Sequence, residues 1–217
     1  MKIYKANKEK TNKEKNNEIF FDSSVSISEK IQLLIQSYTE IKLTPNGFED
    51  LTERLFSELG YSVHFPRKGD VNERFDAVFE LNKNLEKQIV AEIEIPSTAI
   101  LDAPRNLLDD YAVLVNRRQV KEGNLVPLVI CWDLPNNRTD YWNVVKDVNK
   151  ILSVKIKTCS LLSLFILYWS NIPINFWDDS FYLDSDNNSL VQAQNVAKVY
   201  VSSIPTINSL GFFSPIK

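Results

Sequence analysis

The chain has 217 residues, enough for one domain with a sizeable core and short extensions. Hydrophobic residues make up 44% and charged residues 24%, ordinary globular values. A net charge of −3 with a pI near 5.4 excludes a uniformly basic coat, so any nucleic-acid contact needs its positive charge concentrated locally.

The N-terminus is polar and has no signal-peptide pattern. The longest apolar run, Leu161 to Trp169, is too short to span a bilayer, so a soluble cytoplasmic protein without membrane contact is expected. Two cysteines, Cys131 and Cys159, lie in strand-like apolar runs with no zinc spacing and read as buried free thiols. The one histidine, His64, has no second histidine to work with.

Residues 1–18 are rich in Lys, Asn and Glu and read as a mobile arm. From Ser26 to about Leu43, the apolar residues Ile27, Ile31, Leu34, Ile35 and Tyr38 recur at three- and four-residue spacings, predicting a helix capped by Ser26 or Ser28. A second helical stripe joins Phe48, Leu51, Leu55, Phe56 and Leu59. Its start signal is Thr44 with Pro45, or Asn46, and its stop is Gly60. Glu49, three residues after Asn46, suits a capping box. Tyr61 to Phe65 reads as a strand, and Pro66 to Glu73 as a loop.

Arg74 to Ile95 then reads as a β-hairpin. Phe75, Ala77, Phe79 and Leu81 alternate with polar or smaller residues, as do Ile89, Ala91, Ile93 and Ile95. A turn centred on Asn84 keeps both apolar sets on one face and places Asp76 opposite Glu92, with Glu94 one step along that face. Like charges facing each other weaken a ladder by about 0.2–1 kcal/mol. A hard divalent cation such as Mg²⁺, Mn²⁺ or Ca²⁺ would relieve that repulsion. The bland alternative is a solvated acidic strand with Arg74 facing Glu94.

After the hairpin the order is αβαβα. Asp102 is expected to cap a helix that has Pro104 in its first turn and carries Leu107, Leu108, Tyr111, Leu114 and Val115, ending near Asn116 to Gln119. Val126 to Trp132 is a continuous apolar run and reads as a central strand buried on both faces. Tyr141 to Ile151 is a predicted helix, Val154 to Cys159 a strand and Ser160 to Ser170 a helix. Residues 19–170 are therefore read as the main domain, and 171–217 as a C-terminal extension with a helix near Ser189 to Val201 and a possible interface role.

This order, with Phe48-Glu49, Leu59-Gly60-Tyr61, Phe75-Asp76-Ala77-Val78 and Ala91-Glu92-Ile93-Glu94 in sequence, resembles the PD-(D/E)-x-K nuclease superfamily. The resemblance covers about Gly47 to Trp132 and is nearest to Mrr-like and archaeal Holliday-junction-resolving nucleases. It implies an α/β, restriction endonuclease-like core: a central mixed β-sheet flanked by helices, with helical N- and C-terminal extensions. By the same resemblance, Asp76 and Glu92 stand at the family's metal-binding acids, the Ile93 carbonyl would complete the coordination, and Glu49 matches the acid on the first helix. The family's usual lysine is replaced by Glu94, and a minority of type II restriction endonucleases resemble this chain in having Glu-x-Glu.

The activity implied is Mg²⁺-dependent hydrolysis of double-stranded DNA, with Mn²⁺ as substitute, by a homodimer of restriction type. One or two ions at Asp76, Glu92 and Glu94 would neutralise charge on an anionic phosphodiester and acidify a water. Glu94 would then serve as general base or as ligand of a second ion. Phosphate contacts are expected from Arg67, Lys68 and Arg74 beside the hairpin, and from Arg105, Arg117, Arg118 and Lys121 on or after the next helix. The alternative is a catalytically inactive DNA-binding or assembly subunit on the same scaffold, motivated by Glu94 and the acidic balance.

Overall fold

A computed structural model describes residues 17–42, 47–66, 75–95, 99–182 and 189–200. Helix α1 (Ile27–Lys42) begins at Ser26, whose hydroxyl accepts the Glu29 N–H at 3.3 Å. It buries Ile31 and Leu34 completely. Helix α2 (Gly47–Glu58) buries Phe48, Leu51, Leu55 and Phe56, the stripe expected from their spacing. It stops at Gly60, whose φ of +88° a side chain would resist. The start signal at residues 44–46 lies outside the described residues.

Five strands form one sheet in sequence order: β1 (Tyr61–His64), β2 (Ala77–Leu81), β3 (Gln88–Glu94), β4 (Leu125–Cys131) and β5 (Lys157–Ser160). The first three form an antiparallel meander, and β3, β4 and β5 run parallel. The architecture is α/β, a five-stranded mixed sheet flanked by helices. The hairpin register is the one anticipated: Ala77 pairs with Ala91, Val78 with Val90 and Phe79 with Ile89. The Leu81 N–H reaches the Lys87 carbonyl at 3.0 Å, closing a five-residue turn around Asn84.

The parallel half needs crossover helices. Helix α3 (Ala103–Arg117) connects β3 to β4, and α4 (Asp140–Leu152) connects β4 to β5. Asp102 occupies the residue before α3, with Pro in the first turn, but its side chain makes no capping bond, unlike the cap expected there. Strand β4 is buried at every position, as its unbroken apolar run required. Cys131 and Cys159 are both free and buried. Strand β5 begins at Lys157, later than the expected Val154. Helix α5 (Leu161–Trp169) is almost wholly buried, which explains its apolar composition. Among the described residues no helix is long and apolar enough to cross a membrane.

The two faces of the sheet are covered differently. On one, Phe56 of α2 stacks on Phe79 at 3.9 Å and lies near Tyr61 and Phe176. On the other, Tyr141 of α4 is hydrogen-bonded to Thr158 at 2.7 Å. Thr158 shares its face with Val129 and Glu92 through the parallel register. The segment after α5 has no sequence period, yet Phe176, Phe181 and Tyr182 are buried and the Phe181 carbonyl accepts the Thr158 N–H at 3.1 Å. Phe176, Phe181 and Tyr182 thus belong to the core, and their segment docks on the free edge of β5. Helix α6 (Ser189–Tyr200) packs on α5. Residues 1–16 and 201–217, which hold most of the expected arm and the end of the extension, lie outside the described residues.

Candidate functional site

The β2–β3 ladder stops one pair short of Asp76. At that point the Asp76 side chain replaces the missing strand partner: its Oδ2 accepts the Ile93 N–H at 2.9 Å. Asp76 is exposed, while Glu92, facing it from the middle of the sheet, is only 6% exposed. The two carboxyls face each other at the end of the hairpin, and Asp76 acts on Glu92. Burial pushes the Glu92 carboxyl up to about 9, helped by the charges of Asp76, Asp110 and Glu94.

Asp110 escaped the sequence reading. It lies on α3 at 4% exposure, in the inward stripe formed with Ala103, Leu107 and Leu114. Its signal was a carboxylate at a core position of an amphipathic helix, three residues after Leu107 and four before Leu114. Glu94 is half-buried at the end of β3 beside Cys131 of β4. Burial raises its carboxyl above the usual range, and the Asp76 and Asp102 charges add to this. The Ala99 backbone N–H acts in the opposite direction.

Four acidic residues, Asp76, Glu92, Glu94 and Asp110, therefore act on one another at the carboxyl end of β3. Glu49 is exposed in the first turn of α2, beside Phe48, whose ring lies 5.9 Å from that of Trp132 just past β4.

The expected phosphate contacts are scattered. Arg105 lies near the start of α3 and is held by Asp140 at 3.1 Å and, more loosely, by Asp102 at 3.9 Å. Arg117 ends α3. Lys121 is 3.9 Å from Glu86 in the hairpin turn, at the opposite end of β3 from Glu92. The Arg118 guanidinium lies over the Phe75 ring, 5.2 Å from its centre, next in sequence to Asp76. Arg67, Lys68 and Arg74 lie outside the described residues.

Among the described residues no group of three or more His, Cys, Asp or Glu side chains is gathered so as to hold a metal ion. A Mg²⁺ site does not require one, because this ion keeps several waters and is commonly held by one or two carboxylates plus substrate oxygens. Asp76 and Glu92, two hard oxygen donors that face each other at the end of the hairpin, fit that description. The Ile93 carbonyl is the backbone acceptor between Glu92 and Glu94. No family model, no curated protein and no solved structure matches the chain.

Proposed function

We propose that the protein is a Mg²⁺-dependent endonuclease that hydrolyses phosphodiester bonds of double-stranded DNA, of restriction type and acting as a homodimer. The observation that carries this reading is the Asp76–Glu92 pair at the open end of the β2–β3 ladder. Two carboxyls that face and act on each other, one of them buried, are a costly arrangement for a purely structural role. The sheet order, with an acidic hairpin followed by two parallel strands, agrees with the restriction endonuclease-like core that the sequence resembles.

In this reading Asp76 and Glu92 hold the ion, joined by the Ile93 carbonyl. When bound, the ion neutralises charge on the phosphate and acidifies a water. Asp76 is kept in place by the Ile93 N–H, so its carboxylate is preorganised and loses little freedom on binding. Asp110, which acts on Glu92 from α3, adds to the acidic surroundings that would favour a doubly charged ion. Glu94 is oriented by the Ala99 N–H and takes the proton released by the attacking water. Arg105 and Arg118 contact backbone phosphates on either side.

The test is incubation of phage and supercoiled plasmid DNA with Mg²⁺ or Mn²⁺. Wild-type protein should yield nicked, linear or discrete fragments, and Asp76→Ala should slow this by at least about a thousandfold. DNA left intact by wild type, or cut equally by Asp76→Ala, would sink the hydrolase reading. A second reading, a non-catalytic DNA-binding or assembly subunit on the same scaffold, draws on Glu94 in place of the lysine. It would show itself as tight DNA binding with no Mn²⁺ heat in calorimetry.

A further inference from the structure

A groove of about 330 Å³ opens on the same face of the sheet as the carboxylates, at the small end of the range for ligand pockets. Val78 and Glu80 of β2, Gln88 of β3 and His64 of β1 line it, and register places all four side chains on the face of Asp76 and Glu92. Phe65 and Arg118 form its rim, and Phe75 underlies Arg118. Strand rise sets the scale. Val78 is about 7 Å from Asp76 along the strand, and Glu80 about 14 Å. The groove therefore begins beside the carboxylate pair.

Its chemistry is selective. Glu80 is the hub of the polar lining: the Gln88 Nε2 donates to its Oε1 at 3.2 Å, and the His64 Nε2 lies 3.5 Å from its Oε2. A half-buried carboxylate in the floor repels a phosphate and accepts from N–H donors instead. Phe65 and Val78 offer apolar surface to a flat ring, and Arg118 at the rim can meet a phosphate. Acceptor floor, apolar walls and cationic rim match a single nucleotide with its base inward and its phosphate outward.

Building on the nuclease reading above, we infer that this groove receives one unpaired nucleotide next to the phosphate held at Asp76 and Glu92. A base inside a duplex cannot offer its pairing edge to Glu80, so the nucleotide must leave the stack. A carboxylate favours cytosine, adenine and guanine, whose pairing edges carry an amine. It disfavours thymine, whose lone N–H is flanked by two carbonyls. The substrate is thus a duplex from which one nucleotide has been extruded, and an already unpaired nucleotide spares the protein the cost of extrusion.

The experiment compares duplex pools of random sequence, fully paired or with one central bulged nucleotide, by fluorescence anisotropy in Ca²⁺ with the full chain. The bulged cytosine pool should bind at least tenfold tighter than the paired pool, with bulged thymine the weakest of the bulges. Glu80→Leu should erase the difference between cytosine and thymine. Glu80→Gln, which keeps the shape, should narrow it, and thermal melting checks that both variants fold. Iodocytosine in the bulge should crosslink to the peptide carrying Phe65. Equal affinity for paired and bulged pools, or a cytosine preference that survives Glu80→Leu, overturns the inference. If wild type still cuts plasmid DNA in that case, the nuclease reading stands without it. If wild type neither binds nor cuts any DNA, both fall.

Discussion

Replacing Glu92 with glutamine isolates the energetic consequence of burying one carboxyl against another. The folded protein holds the Glu92 proton up to about pH 9, whereas the unfolded chain releases it near the ordinary 4.5. Between those limits the native state binds the extra proton. Stability is therefore highest at the acid end and falls as pH rises, at about 1.4 kcal/mol per unit. From pH 5 to pH 7 that amounts to about 3 kcal/mol, large against a typical net stability of about 5–15 kcal/mol. Glutamine keeps the shape and can donate a hydrogen bond to Asp76 without titrating. Urea unfolding in EDTA at several pH values reads the difference. Glu92→Gln should overtake wild type as pH rises and exceed it by about 3 kcal/mol near pH 7. Mg²⁺ at a hundred times its dissociation constant should return about 2.7 kcal/mol to wild type and little to the variant. Parallel pH profiles for the two proteins, or a variant that is less stable throughout, would refute the argument and make Glu92 a structural acid.

Asp110→Asn removes one of the charges that hold the proton on Glu92, so its stability loss, which still begins near pH 4.5, should level off at a lower pH and be smaller than in wild type, read by the same EDTA titration. Lys157 is 4% exposed, and burial pulls its ammonium down to about 8 from 10.5. In this case the unfolded chain binds the extra proton, so stability rises as pH climbs from 8 to 10.5. Lys157→Met should stabilise at pH 7 by about 1–2 kcal/mol after loss of the bond to the Asp178 carbonyl, with the gain fading above pH 10. Phe56→Ala, which opens a hole against Phe79, Tyr61 and Phe176, should cost about 3–5 kcal/mol in urea melts. Gly60→Ala meets no atom within 4 Å, so its cost is the left-handed backbone alone, about 1 kcal/mol.

The fold was legible wherever burial imposes a period. The hairpin could be read to the residue because a one-place slip would turn Ala77, Phe79, Ile89 and Ala91 away from the α2 side of the sheet. Strand β4 announced itself by having no polar position to alternate with. The segment carrying Phe176 and Phe181 gave no such signal. It is held by ring stacking of Phe176 on Phe56 and by one backbone bond to the sheet edge, and neither imposes a repeat on the sequence. Strand β5 started late for a related reason: Lys155 points to Asp179 at 2.6 Å, outside the ladder, although its neighbours look like strand.

The site was legible only along the chain. Asp76, Glu92 and Glu94 could be placed together because strand parity fixes which side chains share a face. Asp110 could not, because its effect on Glu92 depends on how α3 rolls over the sheet, and rotation of a helix is set by packing that one sequence does not display. The same limit applies to the cations. Arg105, Arg117, Arg118 and Lys121 are close in sequence, yet α3 runs the length of the sheet and separates Arg105 near one end from Arg117 and Lys121 at the other. Only Arg118 bends back to Phe75, beside the first of the carboxylates. The balance at the open end of the hairpin is consequently acidic, with Asp102 and Asp140 already engaging Arg105. In the nuclease reading, a divalent cation held by these carboxylates would also lessen their repulsion of a polyanion. DNA affinity should rise with Ca²⁺ in wild type and lose that dependence in Asp76→Ala.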